Sequence, residues 1–266
     1  MEIIDIKGFR NARDIGGYVN KEGDLLVEHK FIRSAELSKI DKKDLLGFLN
    51  DYNVKTIIDF RTDVELKKKP IPKVDNINIV HLPVLEDENL GVPRNLKQFL
   101  KMFKTIIIKG VPADTFLTNM YMNMAFSDYS AGVYRGFFDI LLSNPDGAIL
   151  FNCTEGKDRT GIAGMLLMSS LDFDKETIIN DYMISKTFCD IKKEIFYRRC
   201  KRFFAGKKIT EFLSGIMATK EIYIKSVFDK IESDFNNINN YLMEKIKLTT
   251  DEIKRLKELY LTNNKK

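Results

Sequence analysis

The chain has 266 residues, 44% of them hydrophobic, with only 6 Pro and 15 Gly, which provides for a sizeable core and excludes a disordered, collagenous or repeat-built molecule. Its 43 Lys and Arg exceed its 38 Asp and Glu by a net charge of +5, yet eight of those cations fall between Lys192 and Lys208 against Glu194 alone, so the remainder is slightly acidic and a generally basic nucleic-acid-binding chain is excluded. No apolar run approaches the roughly 18 residues of a membrane-spanning helix, and the spacing of Cys153, Cys189, Cys200, His29 and His81 suits neither a disulfide scaffold nor a His-based zinc site.

Strand and helix signals alternate along the first two thirds. Asp41 reads as the N-cap of a short helix, with Asp44 beside the positive end of the helix dipole and Leu45, Leu46, Phe48 and Leu49 on the buried side. Val54 to Phe60 is β-branched and mostly apolar, as a buried strand requires, and Ile77 to Val84, with Pro83 near its end, is a second such run. Helical patterns cover Asp114 to Phe126 and Tyr129 to Leu142, the latter stopped by Asn144-Pro145-Asp146-Gly147. Gly147 to Phe151 is a third strand, and beyond Asp174 the pattern is helical to the end. Strands separated by helices predict the α/β class with a mainly parallel sheet flanked by helices. No Gly-, Pro- or Ser-rich linker divides the chain, so one domain over 1–266 is expected, with a helical lid over about 85–127 and an all-helical C-terminal region over about 174–266.

The most informative stretch is Phe151-Asn152-Cys153-Thr154-Glu155-Gly156-Lys157-Asp158-Arg159-Thr160-Gly161, followed by the uncharged run Ile162 to Met168. A strand ending at Asn152 and a helix beginning near Arg159 leave a turn whose backbone N–H groups point into the space ahead of the helix N-terminus, where the dipole also favours negative charge. That arrangement is an anion cradle. A cysteine at its mouth is favoured as the nucleophilic thiolate. Arg159 offers a planar fork suited to two phosphate oxygens, and Lys157 adds a second, more mobile charge. A nucleotide-binding P-loop is excluded, because Asp158 stands where that motif needs Ser or Thr and Phe151 where it needs Gly.

Cys153, five residues, then Arg159 and Thr160 resembles the signature loop of the cysteine-dependent protein tyrosine phosphatases. Cys-Thr-Glu-Gly-Lys-Asp-Arg-Thr is similar to the loop of a bacterial and fungal branch whose members act on phosphotyrosine, some also on phosphoserine or phosphoinositides. Asn11 to Tyr18, Phe31 to Ala35, Ile57 to Thr62 with Glu65, and Asp181 to Ser185 resemble its other blocks, in order. The resemblance implies a tyrosine phosphatase-like fold in which Cys153 attacks phosphorus to form a phosphocysteine. Arg159 and the loop residues Thr154, Glu155, Gly156 and Lys157 would hold the phosphate oxygens, and the Thr160 hydroxyl would stabilise the departing thiolate.

Asp158 occupies the place of the general acid in this branch. The alternatives are Asp87, in Leu85-Glu86-Asp87-Glu88 after a strand end, and a structural Asp158 salt-bridged to Arg13 or Arg61. Asp59 and Arg61, at the carboxyl end of a strand, are expected beside the cradle, orienting the loop rather than reacting. Where the family usually places His before the nucleophile, this chain has Asn152, whose amide can brace the loop by a hydrogen bond but never carry charge.

The resemblance implies a phosphotyrosine protein or a phosphoinositide as substrate, with no cofactor, catalytic metal or nucleic acid. Two other classes stay open: a catalytically weak phosphoprotein-binding module, and a protein acting on anionic lipid surfaces through the basic segment, where Phe196, Tyr197, Phe203 and Phe204 interleave with the cations. The acidic start, Met-Glu-Ile-Ile-Asp, predicts no cleaved secretory signal and a cytoplasmic address, and the oligomeric state is left open.

Overall fold

The computed structural model describes residues 1–85, 110–143, 146–203 and 207–262. Its centre is a six-stranded sheet of order β1-β2-β4-β7-β5-β6, formed by β1 (Glu2–Ile3), β2 (Arg13–Asp14), β4 (Phe31–Ser34), β5 (Val54–Asp59), β6 (Asn78–His81) and β7 (Ala148–Asn152). The four strands β4, β7, β5 and β6 run parallel, and β2 and β1 continue that sheet antiparallel beyond β4. The mainly parallel α/β sheet is therefore as predicted.

All five residues of β7 are buried, as expected of a strand covered on both faces. Its side chains alternate: Ile149 and Phe151 join the larger core with Phe31 and Ile58, while Ala148 and Leu150 join a second core with Ile32 and Ile57. The second core is closed by α1 (Lys42–Asp51), where Asp41 accepts from the Lys43 amide and Leu45, Phe48 and Leu49 are buried. Leu46, expected on that side, is 44% exposed, because it lies about 100° around the helix from Leu45. β4 was not foreseen as a strand. Its core-facing Phe31 and Ile32 are followed by Arg33 and Ser34, polar yet fully buried against the turn at Gly156.

On the larger core lie α3 (Ala113–Phe126), α4 (Asp128–Leu142) and α5 (Arg159–Ser170), after the short α2 (Asp63–Lys68). All twelve residues of α5 are buried, which explains why none of them after Arg159 is charged. It is covered by the C-terminal helices α6 (Lys175–Phe203), α9 (Ile238–Glu244) and α10 (Thr250–Tyr260). Of the expected lid, α3 is described and packs on α7 (Lys207–Met217) and α8 (Glu221–Phe235), while 86–109 lie outside the described residues.

The C-terminal region is helical from Lys175 to Tyr260 apart from its connections, but it closes on a strand, which corrects the expectation of helix throughout. β8 (Leu261–Thr262) pairs antiparallel with β3 (Leu25–Leu26), and the preceding Tyr260 is fully buried with its hydroxyl on the Leu141 carbonyl at 2.5 Å. Extended backbone is favoured there because it completes the β3 edge. No helix among the described residues is long and apolar enough to cross a membrane.

Candidate active site

Residues 153–158 join the carboxyl end of β7 to the N-terminus of α5. The loop's outward carbonyls are tied to its surroundings: the Thr154 oxygen accepts from the Glu36 amide at 3.5 Å, that of Glu155 from Asn11 Nδ2 at 3.0 Å, and that of Gly156 from Arg33 Nη2 at 3.2 Å. In a planar trans peptide the C=O and the following N–H point in opposite directions. Three outward carbonyls therefore turn the amides of Glu155, Gly156 and Lys157 inward, which is the cradle geometry. Gly156 has φ +67°, and a Cβ there would lie 2.5 Å from the Ser34 carbonyl group, so β4 fits directly beneath the loop. Cys153 is 1% exposed at the base of this turn.

Arg159, the first residue of α5, is held by a carboxylate. Its Nη1 donates to Glu65 Oε2 at 2.5 Å and its Nη2 to Glu65 Oε1 at 2.9 Å, with Thr154 Oγ1 at 3.3 Å from Nη2. Glu65 thus takes the Nη1–Nη2 edge of the guanidinium, and the Nε edge is the one not committed to it. Burial opposes the charge on Glu65, but Arg159, the Thr154 hydroxyl and the Thr62 amide outweigh it and hold its pKa down at about 2. Glu65 is placed by local rules as well: it is the third residue of a capping box in which Thr62 caps α2. The Thr160 hydroxyl, next along α5, is fully buried and has no hydrogen-bond partner among the described residues.

Asp158 departs from both structural alternatives. Arg13 is paired with Asp181 at 2.8 Å and Arg61 with Asp59 at 2.6 Å. Asp158 instead accepts through Oδ1 from the Tyr121 hydroxyl at 2.7 Å, and the Tyr182 hydroxyl lies 2.7 Å from that of Tyr121. Lys157 corrects a further expectation. Its ammonium is buried, donates to the carbonyls of Ala218 at 2.9 Å and Ile216 at 3.3 Å, and stands 3.4 Å from Asp158 Oδ1. It is anchored, not mobile, because three oxygen atoms replace the water it loses. Only its backbone amide faces the cradle. Asp87 lies outside the described residues.

The blocks singled out in the sequence converge on this loop. Asp181 accepts from Arg13 and from Arg33 Nη1, the Arg13 Nη1 donates to Asn11 Oδ1 at 2.8 Å, and Asn11 also donates to Ser185 Oγ at 3.1 Å. Burial opposes the Asp181 charge, yet the two guanidinium groups keep its carboxyl below its usual range; burial and Arg13 lower Arg33 to about 10 against the pull of Asp181. On the other side, Asp59 is aligned with Asn152 across the β5–β7 ladder and grips Arg61, which donates to the Lys69 carbonyl at 2.7 Å. Asp59 therefore stands next to the residue that precedes the loop, with Arg61 held on it. Asn152 does not brace it: Nδ2 and Oδ1 are both buried without a hydrogen-bond partner among the described residues.

Sequence reasoning assigned no role to Tyr121, Tyr182 or Asp181 and quoted Glu65 only within a block. Glu65 carried a signal, the Thr62 capping box, but its partner is 94 positions away. The described residues also bring Glu2, Asp14 and His29 ligand atoms within 4.8 Å of one another, a grouping not foreseen; both Asp14 oxygens are already engaged, by the Gly16 and His29 amides. Of the basic segment, the cationic and aromatic side chains lie outside those described.

A triple specificity protein phosphatase, PtpB, of Mycobacterium tuberculosis is 20% identical, with 92% of this chain and 94% of that protein aligned. A protein named as a tyrosine-protein phosphatase from Cupriavidus necator is 22% identical over 92% of this chain and 84% of its own. A tyrosine-protein phosphatase of Nostoc commune is 25% identical over 60% of this chain and 49% of its own. Among solved structures, the core catalytic domain of the PP-IP phosphatase SIW14 from S. cerevisiae, in complex with citrate, is 14% identical, with 91% of this chain and 98% of that one covered and a TM-score of 0.34. The family model for tyrosine phosphatases matches residues 4–262, and the chain belongs to the tyrosine phosphatase family.

Proposed function

We propose that this protein hydrolyses phosphotyrosine through a phosphocysteine intermediate. The observation that carries the reading is the buried Arg159, held by Glu65 at the head of an amide-lined loop with Cys153 at its base. The Cys153 thiolate attacks phosphorus, an S–P bond forms, and the P–O bond to the tyrosyl oxygen breaks as Asp158, entering protonated, gives its proton to the leaving phenolate. Arg159 and the inward amides meet the equatorial oxygens, where charge develops. Water then attacks phosphorus, Asp158 takes its proton, and the S–P bond breaks to release phosphate and a thiolate, which the buried Thr160 hydroxyl stabilises.

Withdrawal of the Lys157 ammonium to Ile216 and Ala218 favours phosphotyrosine over a polyphosphorylated inositol, because that charge is not available to a second phosphate. The test is turnover of a phosphotyrosine peptide and of phosphoinositide vesicles, with a chelator present. Cys153→Ser is expected to lower peptide turnover at least about 10³-fold while vanadate still binds. Chelator-sensitive turnover, or substantial turnover by Cys153→Ser, would overturn the thiol mechanism. Phosphate binding without turnover by the unaltered protein would make it a phosphoprotein-binding module.

A further inference from the structure

Asp158 stands at the N-cap position of α5, where an aspartate ordinarily accepts from the amides of its own helix, yet its side chain makes no capping bond. Its carboxyl is aimed elsewhere. Oδ1 receives the Tyr121 hydroxyl at 2.7 Å and has the Lys157 ammonium at 3.4 Å. Tyr121, on α3, and Tyr182, on α6, are 0% and 1% exposed.

The proton count follows from the donors. The Tyr121 hydroxyl donates to Asp158 Oδ1, an oxygen that then only accepts, and the Tyr121 oxygen is left to accept from Tyr182. We propose that the Tyr182–Tyr121 pair is a positioning device for Asp158, which commits Oδ1 as acceptor and so leaves Oδ2 as the oxygen that carries the acid proton. This rests on the reading of Asp158 as general acid. When Oδ2 gives up its proton, the negative charge that appears is already met on Oδ1 by a phenol and an ammonium, and no group has to turn. When water is later deprotonated, Oδ2 is again the open oxygen. Burial together with the Asp158 charge raises both phenols well above their ordinary range, so they remain donors throughout the cycle. Because the two tyrosines come from α3 and α6, the acid is set only when both helices are docked on the loop.

A leaving group of high pKa, such as tyrosine, needs the proton in the transition state, whereas a nitrophenolate or fluorinated phenolate needs it far less. The experiment measures kcat/KM of the full chain on a phosphotyrosine peptide and on an activated aryl phosphate, for Tyr121→Phe, Tyr182→Phe, Asp158→Asn and the double variant Tyr121→Phe/Asp158→Asn. Tyr121→Phe is expected to lose about 10- to 100-fold on the peptide and at most about 3-fold on the activated ester, with Tyr182→Phe smaller in the same sense. Asp158→Asn should be more selective still, and the double variant no worse than Asp158→Asn alone. If Tyr121→Phe does not fold, by circular dichroism and melting, Tyr182→Phe carries the test. Equal losses on both substrates, or none, in the folded tyrosine variants would overturn the positioning role while selectivity in Asp158→Asn keeps the acid. An unselective Asp158→Asn would remove the acid reading itself, and the positioning role with it.

Discussion

In the proposed mechanism Arg159 meets a phosphoryl group, which a guanidinium does at once only if it is held flat beforehand, and Glu65 holds it through two hydrogen bonds. Losing one charged, partly buried hydrogen bond costs about 1.5–3 kcal/mol, so Glu65→Gln is expected to lower kcat/KM on aryl phosphates by about 10- to 100-fold. The same carboxylate gives a pH signature. Its folded pKa of about 2 lies below the ordinary value of about 4.3, so it adds stability that is fully present above pH 5 and is lost as pH falls through 2. In urea unfolding, the stability gap between the unaltered protein and Glu65→Gln should narrow steadily from pH 5 to pH 2; a constant gap would mean that the pair is not what holds that carboxyl down. At this scale the sequence was most legible within the loop, where nucleophile, cation and glycine are neighbours. It was least legible where partners are remote. Asp158 and Tyr121 are 37 positions apart, and Tyr121 sits in an apolar helix whose pattern reports burial alone.

The β7–loop–α5 unit is shaped by what lies under it. Gly156 sits over the end of β4 in the left-handed region, and any side chain would strike the Ser34 carbonyl. Gly156→Ala is therefore expected to cost about 1–3 kcal/mol of stability and to abolish vanadate binding, as read by urea midpoint and by titration. Retained binding would show that the loop tolerates a shift away from β4. The strand and helix of this unit were legible from a buried apolar run and the uncharged run Ile162 to Met168. β4 was not, because its Arg33 and Ser34 break the apolar pattern, and they are polar for the loop's sake: Arg33 donates to the Gly156 carbonyl and pairs with Asp181. Leu46 was misjudged for a different reason, since an apolar cluster in sequence spans more of a helix circumference than one packed face.

Across the whole molecule the loop of residues 153–158 is supported by segments far from it in sequence. Asn11 and Arg10 reach Glu155 from the N-terminal segment, and Asp181 joins Arg13 to Arg33, which donates to the Gly156 carbonyl. The α/β class follows from alternating strands and helices, but the strand order and the closing strand β8 did not, the latter because two residues carry no period. What all this support holds in place is one thiol beneath one guanidinium. The most direct measurement is rapid acid quench of the protein with a phosphotyrosine peptide, followed by mass analysis of the proteolysed chain. One phosphoryl group on the peptide that contains Cys153, formed and lost at the rate of turnover and absent from Cys153→Ser, is the expected result. Undiminished turnover by Cys153→Ser, or a kinetically competent phosphoryl group on any other residue, would contradict it.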